Sequence, residues 1–139
     1  MTDAEFLSAL ETCTLPQSDF GHSAHVRAAY LYLRAEGFSG ALERTRRAIR
    51  AYALHLGKSG LYHETITVAY LALIQQHMFQ RGDGRDGGDG GEGEGGGWAA
   101  FERDNPELFR PGLLLDYYPK AQLESDLARR VFVLPGASP

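Results

Sequence analysis

The sequence predicts an all-α protein: a compact up-down bundle of about four main helices followed by short C-terminal helices. Three observations lead there. Apolar residues recur at three- and four-residue spacing over four long stretches. No proline lies between Pro16 and Pro106. Short links separate the long stretches, which makes consecutive helices pack antiparallel. A chain of 139 residues suits a single domain, 1–139, and is long enough to bury a core without disulfides.

Each element has its own signal. Thr2 or Asp3 caps a first helix to about residue 11, with Phe6, Leu7 and Leu10 inward, and Leu15-Pro16 ends it. A second helix runs from about His22 to Glu36 and stops at Gly37, a residue suited to a left-handed terminus. Ser39 opens a third helix, 39–55, with Leu42, Ile49, Ala53 and Leu56 as its inner face. Its arginines, Arg44, Arg46, Arg47 and Arg50, lie mostly outside. Gly57 and Gly60 turn the chain into a fourth helix, 62–80, facing inward through Ile66, Ala69, Tyr70, Leu73 and Ile74. Tyr30, Tyr32, Tyr62 and Tyr70 are expected in the core with their hydroxyls bonded.

Residues 82–97 break the pattern. RGDGRDGGDGGEGEGGG, counted from Arg81, carries ten of the seventeen glycines and almost no apolar side chain. Such a segment has nothing to offset its ordering entropy, so it is expected to be a flexible, acidic surface loop. It is not a phosphate loop, because no strand precedes it and no Gly-Lys-Ser/Thr closes it. Beyond it, Trp98-Ala-Ala-Phe-Glu reads as a small helix and Asn105-Pro106 as a capped turn. LLLDYYP is an apolar piece that packs on the bundle, and Ser125 starts a last helical turn.

Charge narrows the function classes. Fourteen basic against 18 acidic side chains give −4, which speaks against nucleic acid, where a basic stripe is needed. The single cysteine, Cys13, cannot form an intrachain disulfide. No apolar run reaches the roughly 18–20 residues of a membrane span, and the acidic start MTDAEFLSAL is unlike a signal peptide. A soluble, cytoplasmic protein acting on a small molecule is the expectation.

The chemistry-bearing residues cluster in two stretches. GHSAHVR places His22 and His25 three residues apart on one helical face, and YHETIT places His63, Glu64 and Thr67 at the start of another helix. In an up-down bundle, helices two and four begin at one pole, which brings His22, His25 and His63 together. His55 and Cys13 lie at the same pole, but His55 is expected to complement the dipole of a helix C-terminus and Cys13 to be a small buried or boundary residue. His77 is fourteen residues past His63, about 21 Å along the axis, and falls outside the group. Inward imidazoles on facing helices are how bundles hold metals.

The two motifs, D-F-x-H-x-x-H-x-R-x-A-Y-x-Y-L from Asp19 to Leu33 and Y-H-E-T-I-T-x-A-Y-L from Tyr62 to Leu71, resemble those of a family of small, largely uncharacterised bacterial helical proteins. The likeness extends to LLLDYY, while Gly21 departs from the threonine associated with that position. The resemblance implies no reaction; it favours His22, His25, Arg27, His63, Glu64 and Thr67 as functional residues.

The leading expectation is a small metal-dependent enzyme. His22, His25 and His63 would bind one transition metal ion (Fe, Zn, Cu or Ni), Glu64 and Thr67 would assist, and Arg27 would face a small polar or anionic substrate, in oxidoreductase or lyase chemistry. The alternatives are a metal-free acid–base isomerase or lyase using His25 or His63 with Glu64, and a non-catalytic ligand- or partner-binding helical module.

Overall fold

A computed structural model describes residues 1–82 and 97–136, so the expectation for the glycine loop falls almost wholly outside the described residues. The described chain is an all-α bundle. Helix α1, Asp3–Glu11, opens with a capping box: the Thr2 hydroxyl accepts from the Glu5 amide at 3.0 Å, and the Glu5 carboxylate accepts from the Thr2 amide at 2.8 Å. It buries Phe6 and Leu10.

Helix α2, His22–His55, is two arms, 22–36 and 38–55, joined at Gly37. Gly37 sits at φ 74°, ψ −179°, a conformation open essentially to glycine alone. The arms form an antiparallel hairpin, as their contacts show. Arg44 lies over the Tyr32 ring at 4.6 Å and pairs with Glu36 at 2.6 Å. Eight residues further along, Tyr52 packs edge-on to Phe20 at 4.9 Å and donates its hydroxyl to the Leu15 carbonyl at 2.5 Å. As one arm ascends in number, its partners descend.

The inner stripe of the second arm differs from the expected one. Ala41, Thr45, Ala48 and Tyr52 are buried, whereas Leu42, Ile49, Ala53 and Leu56 are only partly so. Small side chains let the arm sit close to its neighbours, and the larger aliphatics flank that seam. Helix α3, Glu64–Arg81, ends at Gly82 in the left-handed region and buries Leu71, Ile74 and Met78 along one face.

The C-terminal pieces cover the bundle. Helix α4, Gly97–Asp104, inserts Phe101, which stacks on Tyr30 at 4.6 Å. The 3₁₀ turn Pro106–Phe109 starts with proline in its first turn, but Asn105 does not cap it. The buried Asn105 side chain instead donates to the Phe101 carbonyl at 2.8 Å and meets the His77 ring at 2.7 Å. A second turn, Leu113–Asp116, buries Leu113 and Leu114. Helices α5, Lys120–Leu123, and α6, Asp126–Arg130, follow, with Ser125 capping α6. No helix of the described residues is long and apolar enough to cross a membrane.

Candidate functional site

A cavity of about 360 Å³ lies between the two arms of α2 and helix α3. Its apolar walls include Val26 and Ala29 from the first arm, Ile49 from the second, and Ile66, Leu71 and Ile74 from α3. Five polar side chains enter it: His22, His25, Thr45, Thr67 and Tyr70. Among the described residues, no carboxylate, lysine or arginine lines it. A concave, mainly apolar site of this size with a few convergent polar groups is the usual form of a small-molecule site.

Both imidazoles at this cavity are oriented by backbone carbonyls. His25 is half-buried, and its Nδ1 is 2.9 Å from the Gly21 carbonyl. A carbonyl only accepts, so Nδ1 carries the proton and Nε2 keeps a lone pair. Its ring stacks on Phe20 at 4.0 Å and 26°. Burial pushes the His25 imidazole below its ordinary value; the bond to Gly21 opposes this, and the neighbouring His22 adds to it. His25 is therefore a neutral base near neutral pH. His22 is more exposed, at the rim. Its Nε2 donates to the Leu108 carbonyl at 3.1 Å, and its ring meets Tyr70 edge-on at 5.1 Å. Its Nδ1 then holds the free lone pair. Burial raises the Tyr70 phenol, which stays protonated.

His63 does not join them. It is the N-cap of α3: its Nδ1 accepts from the Ile66 amide at 3.1 Å, which leaves Nε2–H to donate to the Leu123 carbonyl at 2.7 Å. Both ring nitrogens are thus spent on the fold. The cause is register. The His22 ring meets Tyr70, seven residues beyond His63, an offset of about 10 Å along a helix. His63 opens instead onto a neighbouring groove with Leu113, Leu123 and Lys120, which shares Ile66 and Tyr70 as a wall with the first cavity.

Glu64 and Arg27 are also committed elsewhere. The Glu64 carboxylate receives both Arg46 Nε, at 3.1 Å, and Arg46 Nη2, at 2.5 Å, together with the Tyr62 hydroxyl at 2.7 Å. Partial burial pushes Glu64 upward, but these bonds and the charges of Arg46 and Arg50 outweigh it and hold the carboxyl below its ordinary value. Arg27 pairs with Asp3 at 2.7 Å and lies over the Phe6 ring at 4.5 Å, which pins α1 to α2. Thr67 does line the cavity, with its proton given to the His63 carbonyl at 2.9 Å. The structure therefore brings His22, His25 and Thr67 together and leaves His63, Glu64 and Arg27 outside. Among the described residues no three His, Cys, Asp or Glu side chains gather closely enough to hold a metal ion.

Sequence reasoning missed Thr45. It is 3% exposed, lines the cavity, and its hydroxyl has no hydrogen-bond partner among the described residues. The available signal was its place in the stripe Ala41, Thr45, Ala48, Tyr52, a small hydroxyl at helical spacing between two alanines.

The structural role of His63 carries its own expectation. His63→Ala removes the α3 cap and the tether to Leu123, and should lower folding stability by about 1–3 kcal/mol. Chemical denaturation measures the loss, and the His25 ring signals should stay in place. An unchanged stability would mean that the cap does not form.

Compared with protein-family models, curated proteins and solved structures, the chain matches none.

Proposed function

We propose that this chain is a small acid–base enzyme of the isomerase or lyase kind, acting on a compact, uncharged, mainly apolar molecule. The ligand lies between the arms of α2 and helix α3, and His25 is the general base. One observation carries the reading: a neutral imidazole, fixed through Nδ1–H to the Gly21 carbonyl, borders an apolar cavity with no aspartate, glutamate, lysine or arginine among its described lining residues. A base held neutral and oriented in this way is ready to take a proton through Nε2. The Phe20 stack restrains the ring, and His22 supplies a second imidazole at the rim. The lack of a charged lining residue favours an uncharged substrate over an anionic one, since Arg27 is held by Asp3.

The test is proton exchange. A panel of small neutral carbon acids (ketones, nitriles and nitroalkanes) is incubated with the protein in D₂O and followed by NMR. Accelerated exchange is expected for at least one member, with most of the acceleration lost in His25→Ala and retained in His63→Ala. A base works deprotonated, so the rate should fall on acidification, with a midpoint below the ordinary histidine value of 6.5. No acceleration across the panel, or full activity in His25→Ala, sinks the reading.

A second reading, a site for Fe, Zn, Cu or Ni, is favoured by one specific feature. His22 and His25 each give one ring nitrogen to a backbone carbonyl and keep the other free, as metal-bound imidazoles do. Elemental analysis after reconstitution with each metal in turn tests it. Stoichiometric metal that is lost in His22→Ala and His25→Ala, but kept in His63→Ala, would favour it over the metal-free reading.

A further inference from the structure

We propose that Thr45 is the group that reads the substrate, and that the substrate is an uncharged, mainly hydrocarbon carbonyl compound whose oxygen takes the Thr45 hydroxyl proton. This rests on the reading of the cavity as a small-molecule site. The observation behind it is independent of the histidines.

Threonine in a helix ordinarily returns its proton to the carbonyl four residues earlier. Thr12 does so, to Ser8 at 2.8 Å, and Thr67 does so, to His63 at 2.9 Å. Thr65 donates to the Val131 carbonyl at 2.8 Å. Thr45 sits in the middle of the second arm of α2, 3% exposed, and makes no such bond. A buried hydroxyl without a partner is a standing cost to the fold, and native proteins carry few of them. The cost is explicable where a ligand supplies the partner.

The cavity fixes which partner. Thr45 lies on the arm facing the one that bears His22 and His25, and α3 closes the third side. The imidazoles keep lone pairs, which suit a hydrogen the ligand gives up. Thr45 is then left to donate, which suits an oxygen acceptor. Apolar side chains wall the space between them, and no described lining residue is an aspartate, glutamate, lysine or arginine. A carbonyl oxygen at Thr45 with an adjacent C–H toward His25 satisfies both sides, and a single hydroxyl donor would also favour the charge that develops on that oxygen as the proton leaves.

Cyclohexanone and methylenecyclohexane, which differ in shape only at C=O against C=CH₂, serve as probes. Binding is read by NMR titration of the Ile49, Ile66 and Ile74 methyls. In the unmodified protein both probes should shift these methyls. Thr45→Val should weaken the ketone by about five- to tenfold, the worth of one hydrogen bond, and leave the hydrocarbon unchanged. Free Thr45→Val should melt a few degrees higher than the unmodified protein, because an unpaired buried hydroxyl is gone. Thr45→Ser, which keeps the hydroxyl, should retain the ketone preference.

Both probes binding with no selective loss of ketone in Thr45→Val would overturn the role of Thr45 and leave the cavity as a ligand site. A lower melting point for free Thr45→Val would likewise overturn it, since the hydroxyl would then already be paired. Failure of both probes to move the three isoleucine methyls would remove the small-molecule reading, and this inference with it.

Discussion

Truncation of Phe101 to alanine should cost about 3–5 kcal/mol of folding stability, the largest single effect expected in this protein. Phe101 is fully buried and stacks on Tyr30, also fully buried, at 4.6 Å and 28°. An aromatic pair adds about 0.5–1.5 kcal/mol beyond the area it removes from water. The surroundings have little room to collapse into the gap. Trp98 already packs on both rings, at 5.6 Å from Tyr30 and 6.2 Å from Phe101. The damage should also spread, because Asn105 donates to the Phe101 carbonyl and the Leu108 carbonyl just beyond receives His22. Denaturant unfolding measures the loss, and the His22 ring signals report the loosened tether. A change below about 1 kcal/mol would mean that α4 is not docked on the first arm of α2 as described.

Ile74→Ala should cost about 2–5 kcal/mol, toward the lower part of that range. Ile74 is fully buried on α3, but one side of it borders the cavity. A side chain facing a void has fewer packed neighbours to lose, so its truncation forfeits less dispersion energy than the same change in a filled core. Leu71→Ala, equally buried and on the same wall, is the companion measurement. Both variants should leave the His25 resonances in place, since the ring is held by Gly21 and Phe20 and not by α3. A neutral Ile74→Ala would show that the assigned wall of the cavity is wrong.

These two residues were unequally visible in the sequence. Ile74 lies on the periodic stripe of a long helix, and the expected inward face of α3 correctly includes it. Phe101 belongs to a four- or five-residue apolar piece beyond the glycine-rich segment. Its helical character is legible there, but its partner Tyr30, some seventy residues earlier, is not.

What the sequence determined by itself was local. Gly37 ends a helical run because it adopts positive φ, which most side chains resist, and Thr2 starts α1 as its cap. Helical spacing of apolar residues determined the all-α class. It also placed His22 and His25 on one face, since three residues is nearly one turn. The tertiary structure decided everything that depends on how a helix is rotated and slid against its neighbours. Rotation put Ala41, Thr45, Ala48 and Tyr52 inward where Leu42 and Ile49 were expected; the first three are small enough for a close approach, and Tyr52 packs on Phe20. Axial offset set the His22 ring against Tyr70 rather than His63 and freed His63 to cap α3 and hold the Leu123 carbonyl. Side-chain pairing across elements took Arg27 to Asp3 and Glu64 to Arg46. A helix's own sequence fixes which residues share a face, but rotation and offset are set by the summed packing of all its neighbours, and so only the assembled bundle could show which of the candidate residues meet.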